Sequence, residues 1–286
     1  MIVTVAVLGV GSWGTALALL LARNGYPVRL WGHDPDEVAP LGRDRENRRY
    51  LPGIPFPAGL TVSADLAATL TGVDLALVVV PSHAYRATLE QVRPYLPATA
   101  GLAWATKGLE PGSGRFLHEV TAEVLGETWP AAVISGPSFA SEVAQGLPTA
   151  VTVAAHEVDH ARQVAMVLHG SNLRAYTSTD VIGVELGGAI KNVLAIAAGI
   201  ADGLGFGANA RAALITRGLA EMVRLGLAAG GQRETFMGLT GVGDLVLTCT
   251  DDQSRNRRFG LAIGRGEPVE TALAAIGQVV EGAATA

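Results

Sequence analysis

The sequence predicts an α/β chain, a mostly parallel sheet covered by helices, followed by a second, all-helical domain. Three observations carry this. Short apolar runs alternate with amphipathic stretches through the first part of the chain. A glycine-rich turn follows the first of those runs and opens a helical stretch. After Thr179 strand signals nearly vanish and helix formers dominate, which places one domain at residues 1–179 and the other at 180–286.

Taken in order, residues 2–8 read as a buried strand: no basic region precedes the run, and it leads into glycines rather than into a cleavage site. Further strands are predicted at 28–31, 75–80, 102–105, 132–134, 150–153 and 174–176, with helices at 15–23, 85–93, 115–125 and 158–168 between them. Pro81 and Pro130 punctuate strand edges, and residues 43–57 read as an irregular loop. In the second part Asp180 is suited to cap a helix over 181–201. Helices over 208–229, 255–264 and 269–276 follow.

Composition narrows the function classes. At 286 residues, with about 150 per domain usual, one large or two ordinary domains fit. Apolar residues make up 49% and charged ones 16%, against about 25% charged in ordinary domains, which excludes a disordered polyelectrolyte. The net charge of −5 offers no basic field to nucleic acid. One cysteine, Cys249, excludes an internal disulfide and fits a reducing cytoplasm. No membrane insertion is expected: the run at 16–22 stops at Arg23, and the stretch after Gly187 is broken by Lys191 and Asn192, short of the roughly 20 apolar residues a span needs.

Gly9-Val10-Gly11-Ser12-Trp13-Gly14 has a strand before it and a helix after it, the context that turns a weak motif into a dinucleotide-binding one of the Rossmann type. Glycines permit the tight turn and the close approach of a pyrophosphate, which then meets the free N–H groups of the helix start. At the second strand end, His33 is placed to face a 2′-phosphate and Asp34 to face a ribose. Use of both NADP and NAD, with a lean to NADPH, follows. Arg43, Arg45, Arg48 and Arg49 read mainly as a solvated loop.

The candidate acid/base is Lys191. Its helix is apolar almost all round, so the amine is expected to be buried, where the charged form is disfavoured. Snorkelling to water is the alternative. Gly187 and Gly188, one turn earlier, let a cofactor or another backbone come close. Lys107 follows a strand and points into the expected ligand crevice. Gly136-Pro137-Ser138 offers an anion or hydroxyl site, or simply a proline-started helix. Asp244 sits on a glycine-rich turn suited to hold a lysine or a substrate hydroxyl, or simply to cap the next segment. Ser254 is expected to cap a helix whose Arg255 would bind a phosphate, with Arg257 and Arg258 left to the surface.

Together these residues resemble the bacterial NAD(P)-dependent glycerol-3-phosphate dehydrogenase family. The matching blocks are Gly9 to Ala18, Ala105 to Glu110, Ile134 to Ala140, Ala189 to Asn192, Gly241 to Leu245, Ser254 to Gly260 and Val279 to Gly282. The resemblance implies a cytoplasmic, metal-independent enzyme reducing dihydroxyacetone phosphate to sn-glycerol 3-phosphate for glycerophospholipid synthesis, with a homodimer as a candidate assembly. It also implies that Gly9, Gly11, Ser12, Trp13, Gly14, His33, Lys107, Ala140, Arg255, Val279 and Glu281 contact the dinucleotide. Lys191 would be the proton donor and acceptor. Lys107, Gly136, Ser138, Lys191, Asp244, Ser254, Arg255 and Asn256 would hold the triose phosphate. Chains of that family usually continue well beyond the Val279–Gly282 block, so the helical part is expected to be shortened at its C-terminal end. A β-hydroxyacid or ketopantoate reductase, and a cofactor-sensing regulator without turnover, are the rival readings.

Overall fold

The computed structural model describes residues 3–285. Eight strands form one sheet: β1 (Val5–Leu8), β2 (Val28–Trp31), β3 (Leu60–Ser63), β4 (Leu75–Val78), β5 (Gly101–Trp104), β6 (Ala131–Ser135), β7 (Thr149–Ala154) and β8 (Leu173–Ser178). Their order is β3-β2-β1-β4-β5-β6-β7-β8. β1 lies parallel between β2 and β4, with Val5 opposite both Val28 and Leu75. The direction of winding reverses beside β1, the switch point where doubly wound sheets bind ligands. This is the Rossmann-type sheet the alternating pattern predicts.

Seven helices are interleaved with these strands: α1 (Ser12–Arg23), α2 (Pro35–Asp44), α3 (Leu66–Leu70), α4 (Tyr85–Val92), α5 (Leu117–Leu125), α6 (Ala140–Gln145) and α7 (Val158–Leu168). After β8 the described chain is helical: α8 (Val181–Gly203), α9 (Gly207–Ala228), α10 (Arg233–Phe236), a π-helical turn at Leu239–Gly243, α11 (Asp244–Thr250), α12 (Arg255–Gly264), α13 (Val269–Ile276) and α14 (Glu281–Thr285).

Three differences from the sequence reading are instructive. α1 begins at Ser12 rather than at residue 15, inside the glycine turn itself, because Gly11 serves as its N-cap. The irregular loop is shorter than expected, since α2 runs through Asp44 from an Asp34 cap. β3 was not foreseen: Leu-Thr-Val-Ser is too short to signal alone, and pairing with β2 supplies its stability.

By contacts the chain divides into two units. The first holds residues up to Thr106, His118–Ile134 and Ser138–Thr179; the second holds Lys107–Leu117, Ser135–Pro137 and Asp180–Ala286. In the first unit, β1 is buried throughout and α1 is buried from Gly14 to Leu21, packed against α6 and α7. Each fully buried leucine there contributes roughly 2 kcal/mol relative to exposure, and Leu17, Leu19 and Leu21 are such residues.

The second unit is organised around α8, which packs against α9, α11, α12 and α14. Gly199 and Gly260 bring α8 and α12 together: a Cβ at Gly260 would stand 2.0 Å from the Ile196 carbonyl oxygen. α8 is long and apolar enough by composition to cross a membrane, with a mean hydropathy of 1.6. Lys191 and Asn192 therefore do not disqualify it, contrary to the sequence reading. About 67% of its most apolar window is buried inside the protein, which is where its hydrophobicity is satisfied.

Candidate active site

The glycine turn is built by backbone crowding on one side and open space on the other. Gly9 has φ +125°, a conformation that side chains rarely adopt, and a Cβ there would meet the Val79 carbonyl oxygen at 2.3 Å. A Cβ on Gly14 would meet the Gly9 oxygen at 1.9 Å. At Gly11, by contrast, no atom lies within 4 Å of an added Cβ. The start of α1 has no side-chain cap, so its N-cap residue offers nothing to the first-turn N–H groups, which have no intrahelical partner. Ser12 and Trp13 are half-buried beside them, and Trp13 Nε1 is buried without a partner among the described residues. This cradle fits an anion such as a pyrophosphate. Ala140, the first residue of α6, belongs to the same unit, in which α6 packs on α1.

Beyond β2, His33 is exposed. Asp34 Oδ1 accepts the Asp36 N–H at 2.9 Å and caps α2. Arg43, Arg48 and Arg49 are exposed, as read. Arg45 is the exception, donating to the carbonyls of Leu60, Phe56 and Pro57 and so holding its loop together.

In the second unit, four predicted residues converge. Asp244, at the start of α11 after the π-helical turn, is 1% exposed and shares its two oxygens between two lysines. Oδ1 accepts from Lys191 Nζ at 2.5 Å, and Oδ2 from Lys107 Nζ at 2.8 Å. Lys107 Nζ also donates to the Gly136 carbonyl at 3.2 Å. Thr248, one turn after Asp244, accepts from Lys191 at 3.1 Å and donates to the Asp244 carbonyl at 2.6 Å. Lys191 is 6% exposed, so it does not snorkel. The glycines before it serve close packing: a Cβ at Gly187 would strike the Thr240 carbonyl oxygen at 2.5 Å, and one at Gly188 would reach Ser135 Oγ at 2.9 Å.

Electrostatics follow from this geometry. Burial pulls the Lys191 pKa down to about 7, with Asp244 resisting and the Lys107 charge reinforcing the fall. Burial works to raise the Asp244 carboxyl, but the two ammonium groups prevail and hold it below the usual carboxylate range. Cys249, on the same helix, is pushed up to about 12 by burial and is an inert core thiol.

The predicted phosphate end lies at the start of α12. Ser254 caps this helix, accepting the Arg257 N–H at 3.2 Å. Arg255 is half-buried and reaches Gln278 at 3.4 Å. Asn256 donates to Asn192 Oδ1 at 3.0 Å and accepts the Gly282 N–H at 2.9 Å, which ties the Val279–Gly282 block to the residue after Lys191. In that block Val279 is exposed and Glu281 half-buried. Ser138 is half-buried and clusters with the first unit, apart from Gly136 in the second. One reading is corrected: Arg257 is not a surface residue. It is 8% exposed and paired with Asp202 at 2.6 Å and with Asp252, because the close approach of α12 to α8 turns its side chain inward.

Three residues escaped the sequence reading. Thr248 could have been found from its spacing of four from Asp244 on one helix face. Asn192 was read only as a break in an apolar stretch and as part of a matching block. Asn47, fully buried against the glycine turn, carried no local signal.

Comparison with known proteins bears on this arrangement. The family model for the NAD-dependent glycerol-3-phosphate dehydrogenase N-terminus matches residues 4–161, and that for the C-terminus matches residues 180–286. The chain is 65% identical over 282 residues to a glycerol-3-phosphate dehydrogenase [NAD(P)+] of Thioalkalivibrio sulfidiphilus, covering 99% of this chain and 85% of that protein. It is 60% identical to the one of Aeromonas salmonicida, covering 98% and 84%. Among solved structures, glycerol-3-phosphate dehydrogenase from Coxiella burnetii superposes with a TM-score of 0.95 at 55% identity, covering 98% of this chain and 86% of that one.

Proposed function

The chain belongs to the NAD-dependent glycerol-3-phosphate dehydrogenase family, and from that premise we propose how its own residues carry the reaction. It is an NAD(P)-dependent oxidoreductase acting on a CH–OH group, interconverting dihydroxyacetone phosphate and sn-glycerol 3-phosphate. When bound, NAD(P)H supplies the hydride that reduces the ketone carbon. Lys191 delivers its proton to the ketone oxygen and is left as a neutral amine, so charge and atoms balance. In the reverse direction the neutral amine takes the hydroxyl proton.

The observation that supports this reading is the Lys191–Asp244–Lys107 cluster: a buried ammonium held at 2.5 Å by a carboxylate that a second lysine also neutralises. Such a group is poised for proton transfer near neutral pH, and its charge stabilises a developing alkoxide in a dry site. Asp244 and Thr248 aim the amine. Lys107, Gly136 and Ser138 would complete the substrate site. At the start of α12, Arg255 would release Gln278 to take a phosphate oxygen, aided by the Ser254 hydroxyl and the second N–H of Asn256.

Gly9, Gly11, Ser12, Trp13 and Gly14 would hold the pyrophosphate, with His33, Lys107, Ala140, Arg255, Val279 and Glu281 as further dinucleotide contacts. The exposed His33 at the end of β2 is the group a 2′-phosphate would meet, which supports the lean to NADPH over NADH. Residues 1–179 would serve as the dinucleotide-binding domain and 180–286, joined by Lys107–Leu117 and Ser135–Pro137, as the substrate domain. A cytoplasmic homodimer feeding phospholipid synthesis completes the proposal. The test follows the nicotinamide absorbance with each reduced cofactor. Dihydroxyacetone phosphate is expected to consume NADPH and NADH, and 2-keto acids such as ketopantoate to consume neither. Turnover of a keto acid in preference to the triose phosphate overturns the reading.

A further inference from the structure

Asn47 is 1% exposed, far along the chain from any residue of the reaction cluster, yet its side chain is committed to the glycine turn. Nδ2 donates to the Val10 carbonyl at 2.9 Å and to Thr15 Oγ1 at 2.8 Å. Thr15 Oγ1, fully buried, donates in turn to the same Val10 carbonyl at 3.1 Å. A helical threonine usually bonds a carbonyl three or four residues back within its own helix. Thr15 instead reaches five back, to a residue outside α1. Two buried donors thus converge on one carbonyl oxygen, the one between Gly9 and Gly11.

A trans peptide holds its C=O and N–H in opposite directions, and no peptide bond here is cis. Drawing the Val10 oxygen toward Asn47 and Thr15 therefore turns the Gly11 N–H away from them, and the space beside Gly11 is open: a Cβ there would meet nothing within 4 Å. We infer that Asn47, with Thr15, is a positioning residue of the dinucleotide turn, fixing the Val10–Gly11 peptide so that the Gly11 N–H faces the cofactor pyrophosphate.

The loop that carries Asn47 is built to keep it there. Arg45 adopts a left-handed backbone with φ 53° and clamps the carbonyls of Phe56, Pro57 and Leu60. Glu46 bridges to Pro55 and accepts the Gly53 N–H at 2.7 Å. Asn47 Oδ1 accepts the Tyr50 N–H at 3.3 Å, which fixes the amide so that its nitrogen faces the turn. Flexible turns lose a fixed N–H direction and with it the preorganisation that binding an anion rewards.

This inference rests on the dinucleotide reading of the turn, and its test separates the two. Asn47→Ala, Asn47→Asp and Thr15→Val are titrated with NADPH by cofactor fluorescence, and assayed with reduced nicotinamide mononucleotide, a hydride donor without the pyrophosphate bridge. Asn47→Ala is expected to raise the Kd for NADPH about tenfold, the scale of one charge-assisted hydrogen bond. Thr15→Val is expected to raise it less, and Asn47→Asp more, since a carboxylate cannot donate to Val10. Turnover with the mononucleotide, and the KM for the triose phosphate, are expected to change less than twofold. An unaltered Kd for NADPH, or an equal loss with both hydride donors, overturns the inference. Should Asn47→Ala fail to fold, Thr15→Val decides it. If the wild-type chain binds NADPH but does not turn over the triose phosphate, the functional reading falls while the NADPH titration still decides the role of Asn47.

Discussion

The glycine turn of the first unit and the lysine cluster of the second are built from opposite materials. The turn uses main chain: six consecutive residues, three without side chains, whose path is set by close backbone approach at Gly9 and Gly14. The cluster uses side chains from segments far apart in sequence, with Lys107 and Asp244 separated by 137 positions and Lys191 and Asp244 by 53. A backbone site can bind a charge that never changes. A side-chain site can gain and lose a proton, because burial and two neighbouring charges set its pKa.

The sharpest way to break this contrast is Lys191→Ala. Turnover is expected to fall about 10³-fold, within the range for loss of a general acid, while the Kd for NADPH measured by fluorescence stays within twofold. Equal losses in both would erase the division of labour. Asp244→Asn is next: turnover drops roughly a hundredfold, and the pH profile moves to lower pH, because the carboxylate is what raises the Lys191 pKa.

In the intact protein the sign can be read directly. With Lys191 as the proposed acid, reduction needs the ammonium, so its kcat is expected to hold at low pH and to decline as pH rises through about 7. Oxidation needs the free amine, so its kcat climbs through the same range. Parallel profiles in the two directions would remove Lys191 from proton transfer.

Smaller effects sharpen the boundary of each region. Arg255→Ala is expected to raise the KM for dihydroxyacetone phosphate about tenfold or more, the loss of a hydrogen bond to a charged group, with kcat little changed. Gly11→Ala is expected to weaken NADPH binding with the melting temperature unchanged, because its Cβ disturbs no protein atom and enters the open space where the pyrophosphate would come. Gly14→Ala, which would drive a Cβ to 1.9 Å from the Gly9 oxygen, is expected instead to lower the melting temperature.

What was legible in the sequence was what neighbours in the chain decide. The strand at Val28–Trp31 and the helices α7, α12 and α13 fall where periodicity and capping residues put them, with Ser254 as the cap of α12. Lys191 stood out because an apolar helix made its charge anomalous. The rest lacked a local cue. β3 needs β2 beside it, Arg257 looked like any basic turn until α12 pressed it toward Asp202, and Asn47 sat in a loop with no periodicity at all.

The amino-acid order alone therefore determined the alternation of strand and helix, the glycine turn, the apolar helix around Lys191 and the family whose motifs these are. Each depends on spacing along one segment. Folding decided which oxygen of Asp244 meets which lysine, that Thr248 joins them, and that Asn47 reaches back to Val10. Those contacts depend on distances in space, and a carboxylate becomes a shared partner of two ammonium groups only when packing has removed the water that would otherwise solvate all three.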